Sequence, residues 1–107
     1  MTREALPNRR EHESFEITFR GQVFFVGLGR FEDGRLAEVF MQNEKIQNDL
    51  AHDNRDAFVV LSIALQHGVD PEELRLALSR DESGAATGIV GCLLDQLANE
   101  NEVKSTS

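Results

Sequence analysis

The chain has 107 residues, 40% of them apolar, with 11 Lys and Arg against 19 Asp and Glu for a formal charge of -8. That length fits one domain, and the acidity disfavours nucleic acid as a direct partner, because phosphate recognition needs local positive charge and the longest basic run is Arg9-Arg10. A lone cysteine, Cys92, excludes an internal disulfide and any Cys-x-x-Cys motif; no stretch approaches the roughly 20 apolar residues of a membrane span and no apolar signal core opens the chain, so the expected compartment is the cytosol, with no membrane contact.

Residues 1–14 are charged and read as a loose tail, and so does 99–107, where Val103 is the one apolar residue. The folded unit expected between them is 15–98. Phe15, Ile17 and Phe19 alternate with Glu16, Thr18 and Arg20, the period of a strand with one wet face. Arg20-Gly21-Gln22 supplies a turn, and Val23 to Val26, extending toward Arg30, reads as a second strand. Glu32-Asp33-Gly34 is a second turn, with Gly34 free to take positive φ, and Leu36 to Met41 a third strand. Short connections between three consecutive strands predict an antiparallel meander.

Gln42 to His52 reads as a polar loop, and Asp53 or Asn54 as the cap of a helix. Ala57 to Leu65 is apolar except for Ser62, and Gly68 suits a left-handed C-terminal cap. Phe58-Val59-Val60 favours a strand, but the segment's length and the Gly68 stop favour a helix, packed on more than one side because it is apolar nearly all round. Ser62 inside it is expected to bond back to the preceding turn. Asp70-Pro71-Glu72-Glu73 is a strong helix start: Asp70 caps, Pro71 fits the first position, and Glu73 can close a capping box. That helix is expected to run to about Ser79 with Leu74, Ala77 and Leu78 as its core stripe. After a polar loop from Arg80 to Ala86, Ile89, Val90, Leu93, Leu94 and Leu97 define one face of a last helix. Gly88 and Gly91 weaken its first turn by about 1 kcal/mol each relative to Ala; close packing would explain them. Strands first and helices after predict an α+β fold: a three-stranded antiparallel meander followed by three helices packed on one face.

No catalytic constellation is visible. Gly27-Leu28-Gly29 lacks the further glycine of a dinucleotide loop, because position 32 is Glu, and leads into a turn rather than a helix; the glycines are expected to ease twist or a bulge. None of His12, His52 and His67 has a His or Cys at helical ligand spacing, so no metal site is expected. Cys92 lies among Val90, Gly91, Leu93 and Leu94 and reads as a small buried hydrophobe. The one suggestive group is Arg30, Arg35, Arg55 and Arg80, with Asp56. Arg30 and Arg35 flank a tight turn, Arg55-Asp56 opens a helix, and Arg80-Asp81 follows one; converging, they would hold a carboxylate or phosphate, and otherwise they are surface ion pairs.

Val26-Gly27-Leu28-Gly29-Arg30-Phe31-Glu32-Asp33-Gly34-Arg35-Leu36-Ala37-Glu38-Val39-Phe40 resembles the core of the TSCPD domain, and Leu61 to Leu74, with its Ser-x-x-Leu, helix-stopping Gly and new capped helix, resembles that domain's second block. The Leu6-Pro7-Asn8-Arg9-Arg10 lead-in and Arg80-Asp81-Glu82-Ser83-Gly84 are similar to the stand-alone variety. TSCPD domains occur toward the C-terminus of adenosylcobalamin-dependent (class II) ribonucleotide reductases and as short separate proteins. The naming Ser-Cys-Pro-Asp motif is replaced here by Thr87-Gly88-Ile89-Val90-Gly91-Cys92, so the resemblance brings no thiol, metal or catalytic residue with it. It implies a non-catalytic accessory or interaction module without a cofactor, whose partner is a protein such as a ribonucleotide reductase; separately, the Phe15–Phe19 edge strand could pair with a second copy. A reductase label would then describe kinship. The other reading is a domain sensing a small anionic ligand, such as a nucleotide, through the arginines.

Overall fold

The computed structural model describes residues 2–4, 12–42 and 49–106. Three strands, β1 (His12–Phe19), β2 (Gln22–Arg30) and β3 (Leu36–Met41), are followed by three helices, α1 (Asp49–Gln66), α2 (Pro71–Ala77) and α3 (Ile89–Thr106). The sheet order is β1-β2-β3, antiparallel throughout, so the α+β fold is as expected from the chain order. The Leu6–Arg10 lead-in and most of the Gln42–His52 segment lie outside the described residues.

Turn chemistry sets the register. Arg20 and Gly21 both take positive φ, 52° and 75°, which a two-residue turn between right-twisted strands requires, and Phe19 pairs directly with Gln22. That register puts Ile17, Phe19, Val26, Leu28 and Val39 on one face, where they join Phe58, Leu61 and Leu65 of α1 and Ile89, Leu93 and Leu94 of α3 in a single core. α1 packs on β3, α3 on β1, and α2 on α3.

On the opposite face, Gly27 and Gly29 are cradles. A Cβ at Gly27 would lie 2.2 Å from Cζ of Phe40, and one at Gly29 would lie 2.6 Å from Cγ of Glu38. The two β3 side chains therefore cross flat over β2, where His12 of β1 meets them: its Nε2 is 3.4 Å from Glu38 Oε1 and its ring is edge-on to Phe40 at 5.0 Å. The expected bulge is also present, as a register shift between Gly29 and Arg30. This ladder carries β1 back to His12, ahead of the Phe15 at which the alternation begins.

Several expectations need correction. α1 starts at Asp49, so Asp53 and Asn54 lie inside it rather than capping it. Nor is α1 packed all round: Phe58, Leu61 and Leu65 are buried, while Val59, Val60 and Ile63 are 50%, 67% and 40% exposed, because only two layers exist and nothing in the described chain covers its outer side. Ser62 does not bond within its helix. Its hydroxyl accepts from Val39 N at 2.9 Å and donates to Val39 O at 3.1 Å, because α1 lies along the outer edge of β3. α2 stops at Ala77 and buries no residue fully; Leu74 is half-buried against the core, but Ala77 and Leu78 are exposed, since α2 packs mainly on α3.

Other local readings agree with the coordinates. Asp70 caps α2, accepting from Glu72 N at 3.0 Å, with Pro71 in the first turn. Gly68 takes φ 89° at the end of α1. Gly91 is a close-packing glycine, since a Cβ there would sit 3.0 Å from that of Ala86, whereas Gly88 has open space. The last reading differs: α3 continues past Ala98 to Thr106, so 99–106 is helical and not the loose tail expected.

Candidate functional site

The β2–β3 turn, the first turn of α2 and one side of α3 enclose a cleft of about 240 Å³ lined by Arg30, Arg35, Glu72 and Arg75 over Leu36, Pro71, Leu94 and Leu97. A second recess of about 300 Å³ adjoins it, sharing Arg35, Leu36 and Pro71 and reaching Phe31, Leu65 and Val69. Arg30 and Arg35 are thus brought together, as the sequence suggested. Arg75 joins them; in the sequence it is marked only as a helical neighbour of Glu72, and its bond to Asp95 spans 20 positions. Arg80 stands outside the cleft, and Arg55, half-buried on α1, lines neither recess.

Each described guanidinium in this region is held by a carboxylate. Arg30 Nε meets Glu13 at 2.5 Å and donates from Nη1 to Gly34 O. Arg35 Nε meets Asp33 at 2.7 Å, its Nη2 lies 3.1 Å from both carboxylate oxygens of Glu4, and its guanidinium stacks 4.6 Å above the Phe31 ring. Arg75 grips Glu72 with two bonds, 2.5 and 2.9 Å, and touches Asp95 at 3.3 Å. Arg80 grips Asp95 at 2.7 and 2.8 Å and also donates to the carbonyls of Gly84 and Arg75. Asp95 therefore ties α3 both to α2 and to the loop before α3. The pairs show in the acidities. The bonds from Arg80 hold the Asp95 carboxyl below its ordinary range, and Arg75 does the same for Glu72. Asp33 is lowered by the Arg35 backbone amide and then by its side chain. This is a neutralised network, and an incoming anion has to displace a carboxylate already in place.

Around Cys92 lies a more open hollow of about 470 Å³ with Thr18, Arg20, Asp81, Thr87 and Gln96. The thiol donates to Thr18 O at 3.3 Å and receives Gln96 Nε2 at 3.0 Å. Burial pushes its pKa up, opposite to what a nucleophilic thiolate needs. Among the described residues no cluster of three or more His, Cys, Asp and Glu side chains is placed to hold a metal ion, and no helix is long and apolar enough to cross a membrane.

At the C-terminal end of α1, beside Arg35, residues Thr2–Glu4 cross the molecule. Glu4 N donates to Gln66 O at 2.6 Å, and Arg3 Nε donates to Gln66 Oε1. Gln66 is 4% exposed, and its Nε2 donates to Ala37 O on the edge of β3 at 3.0 Å. One buried amide thus connects the sheet edge, the helix end and the N-terminal segment, an arrangement no local sequence pattern announces.

Over 71 residues, 66% of its length, the chain is 34% identical to the vitamin B12-dependent ribonucleotide reductase of Agrobacterium fabrum. To the enzyme of the same name from Bradyrhizobium diazoefficiens it is 30% identical over the same share. The match spans only 6% of each of these relatives. No family model matches, and no solved structure does. The chain is kin to vitamin B12-dependent ribonucleotide reductases through one small segment of those proteins.

Proposed function

We propose that this chain is a non-catalytic accessory or interaction module of the TSCPD type, working beside a vitamin B12-dependent ribonucleotide reductase in the cytosol. One observation carries the reading: the kinship falls on a segment amounting to 6% of the reductase chains, a piece too small to contain their reaction. Exposed Val59, Val60 and Ile63 on α1 and Val23 and Phe25 on the outer sheet face supply apolar contact surface of the sort that partners cover. The test mixes the purified chain with the reductase of the same organism. Co-elution on a sizing column and no ribonucleotide reduction by the chain alone are expected; product from the isolated chain, or no association at micromolar concentration, overturns the proposal.

A second reading, a sensor of a small anion such as a nucleotide, draws on Arg30 and Arg35 lining one cleft together. Arg55 and Arg80 would then act from outside it. Since each of Arg30, Arg35 and Arg75 already faces a carboxylate, this reading requires that ligand exchange for carboxylate leave the fold intact. A nucleotide panel in a thermal-shift assay decides it, and a flat response at millimolar ligand rejects it.

A further inference from the structure

We propose that the groove formed by Gln66 and Arg35 at the end of α1 is a docking site for an extended segment of a partner protein carrying adjacent Arg and Glu side chains, and that Thr2–Glu4 occupies it in cis. This deepens the interaction-module reading and rests on it.

Three recognition groups are built into the groove independently of the segment that fills it. Gln66 O belongs to the last turn of α1, whose carbonyls have no partner inside the helix; it takes the Glu4 amide. The Gln66 side chain is fixed by its bond to Ala37 O, which leaves Oε1 as the acceptor of that amide, and Arg3 supplies the donor. The Arg35 guanidinium is preset by Asp33 and by stacking on Phe31, and its remaining edge takes the Glu4 carboxylate. A backbone N–H, a guanidinium and a carboxylate in consecutive positions describe an extended Arg-Glu segment. A free carboxylate would satisfy only Arg35. The recesses on either side of Arg35 leave room for an apolar neighbour of that dipeptide.

The cis segment is built to leave. Glu4 and Arg35 are each about half exposed, and exposed pairs of this kind are weak and screened by salt. What must not stay empty is Gln66, a buried acceptor that loses free energy when unpaired. Exchange of one extended segment for another keeps it satisfied.

The experiment follows a fluorescently labelled peptide of residues 2–6 by anisotropy against the full chain and a chain lacking residues 2–4, both checked for fold by circular dichroism. Saturable binding to the truncated chain is expected, about tenfold or more tighter than to the full chain, because the cis segment no longer competes for the open site. In the truncated chain Arg35→Ala should abolish binding and Arg35→Lys should retain part of it. In the full chain Glu4→Gln should raise peptide affinity. N-acetylglutamate amide at the same concentration should not displace the peptide. Equal affinity for the two chains, indifference to Arg35→Ala, or displacement by the lone amino acid as effective as by unlabelled peptide overturns the proposal. A peptide that fails to bind while the full chain still co-elutes with the reductase removes this site and spares the module reading; binding without co-elution does the reverse.

Discussion

At the β3 edge of the sheet, Ser62 and Gln66 of α1 take up the outward groups of Val39 and Ala37, with bonds of 2.9 to 3.1 Å. At the β1 edge, the described side-chain bonds to the strand's backbone fall on one carbonyl, Thr18 O, reached at 3.3 Å by both Cys92 and Gln96 of α3. One edge is covered at two of its residues and the other is touched at one end. An unpaired strand edge is a template for another chain, so the contrast says where this sheet resists addition and where it admits it. It also shows a helix doing two jobs: α1 buries Phe58, Leu61 and Leu65 in the core while its polar side chains replace the missing fourth strand.

The contrast breaks most completely if α1 loses its anchor. Phe58 is 1% exposed, and Phe58→Ala should cost about 3–5 kcal/mol through lost transfer energy and the cavity left behind, read as a lower urea midpoint at unchanged m-value. Next comes the edge cover itself. Gln66→Leu leaves Ala37 O without its donor, and Ser62→Ala strips both groups of Val39; each should cost about 1–3 kcal/mol, the penalty for an unsatisfied buried polar group. Hydrogen exchange would locate the effect, with the Val39 amide losing protection in Ser62→Ala well beyond the amides of β1. If both variants unfold at the wild-type midpoint, the edge cover contributes nothing.

Much of the sheet was legible because its determinants are local. The alternation around Ile17, the Arg20-Gly21 turn, Gly34 and the Asp70-Pro71 start each act within a few residues. The edge cover was not legible, because Ser62 finds Val39 across 23 positions and Gln66 finds Ala37 across 29. A polar residue inside an apolar helix signals only that it needs a partner. The apolar run of α1 misled for a related reason: composition reports how greasy a helix is, not how many layers are available to bury it. At the candidate site, the Arg30–Arg35 juxtaposition was visible from a single turn. Arg75 could be foreseen only as a helical neighbour of Glu72, and Asp95 not at all, since its two arginines lie 15 and 20 positions away.

A smaller effect is expected on the β1 side, where α3 is held in position by Asp95. The carboxyl of Asp95 is held below its usual range, first by Arg80 and then by Arg75. A carboxylate with a folded pKa below its unfolded one adds stability that is fully present above the unfolded value, near 3.8, and is lost as pH falls through the folded value. Wild type should therefore exceed Asp95→Asn in stability at neutral pH, with the difference shrinking below about pH 4. Thermal unfolding of the two proteins from pH 7 to pH 3 checks this; a gap that stays constant, or widens in acid, means the network does not act through this ionisation.

The smallest expected effect is also the one that tests the open edge. Gln96 Nε2 reaches Thr18 O at 3.3 Å in an exposed setting, so water can replace it, and Gln96→Ala should cost under about 1 kcal/mol. Its consequence for association should be larger than its consequence for stability. With Gln96 gone, Thr18 O keeps only the Cys92 thiol, a weak donor, so β1 offers a less guarded edge between Ser14 and Phe19, and strand addition by a second copy needs that edge and not the covered one. Light scattering on Gln96→Ala and on Ser62→Ala separates the two sides. Concentration-dependent mass increase confined to Gln96→Ala would place self-association at β1, as the asymmetry requires. An increase confined to Ser62→Ala would mean that β3, once uncovered, is the stickier strand, and that α1 guards the sheet against its own copies.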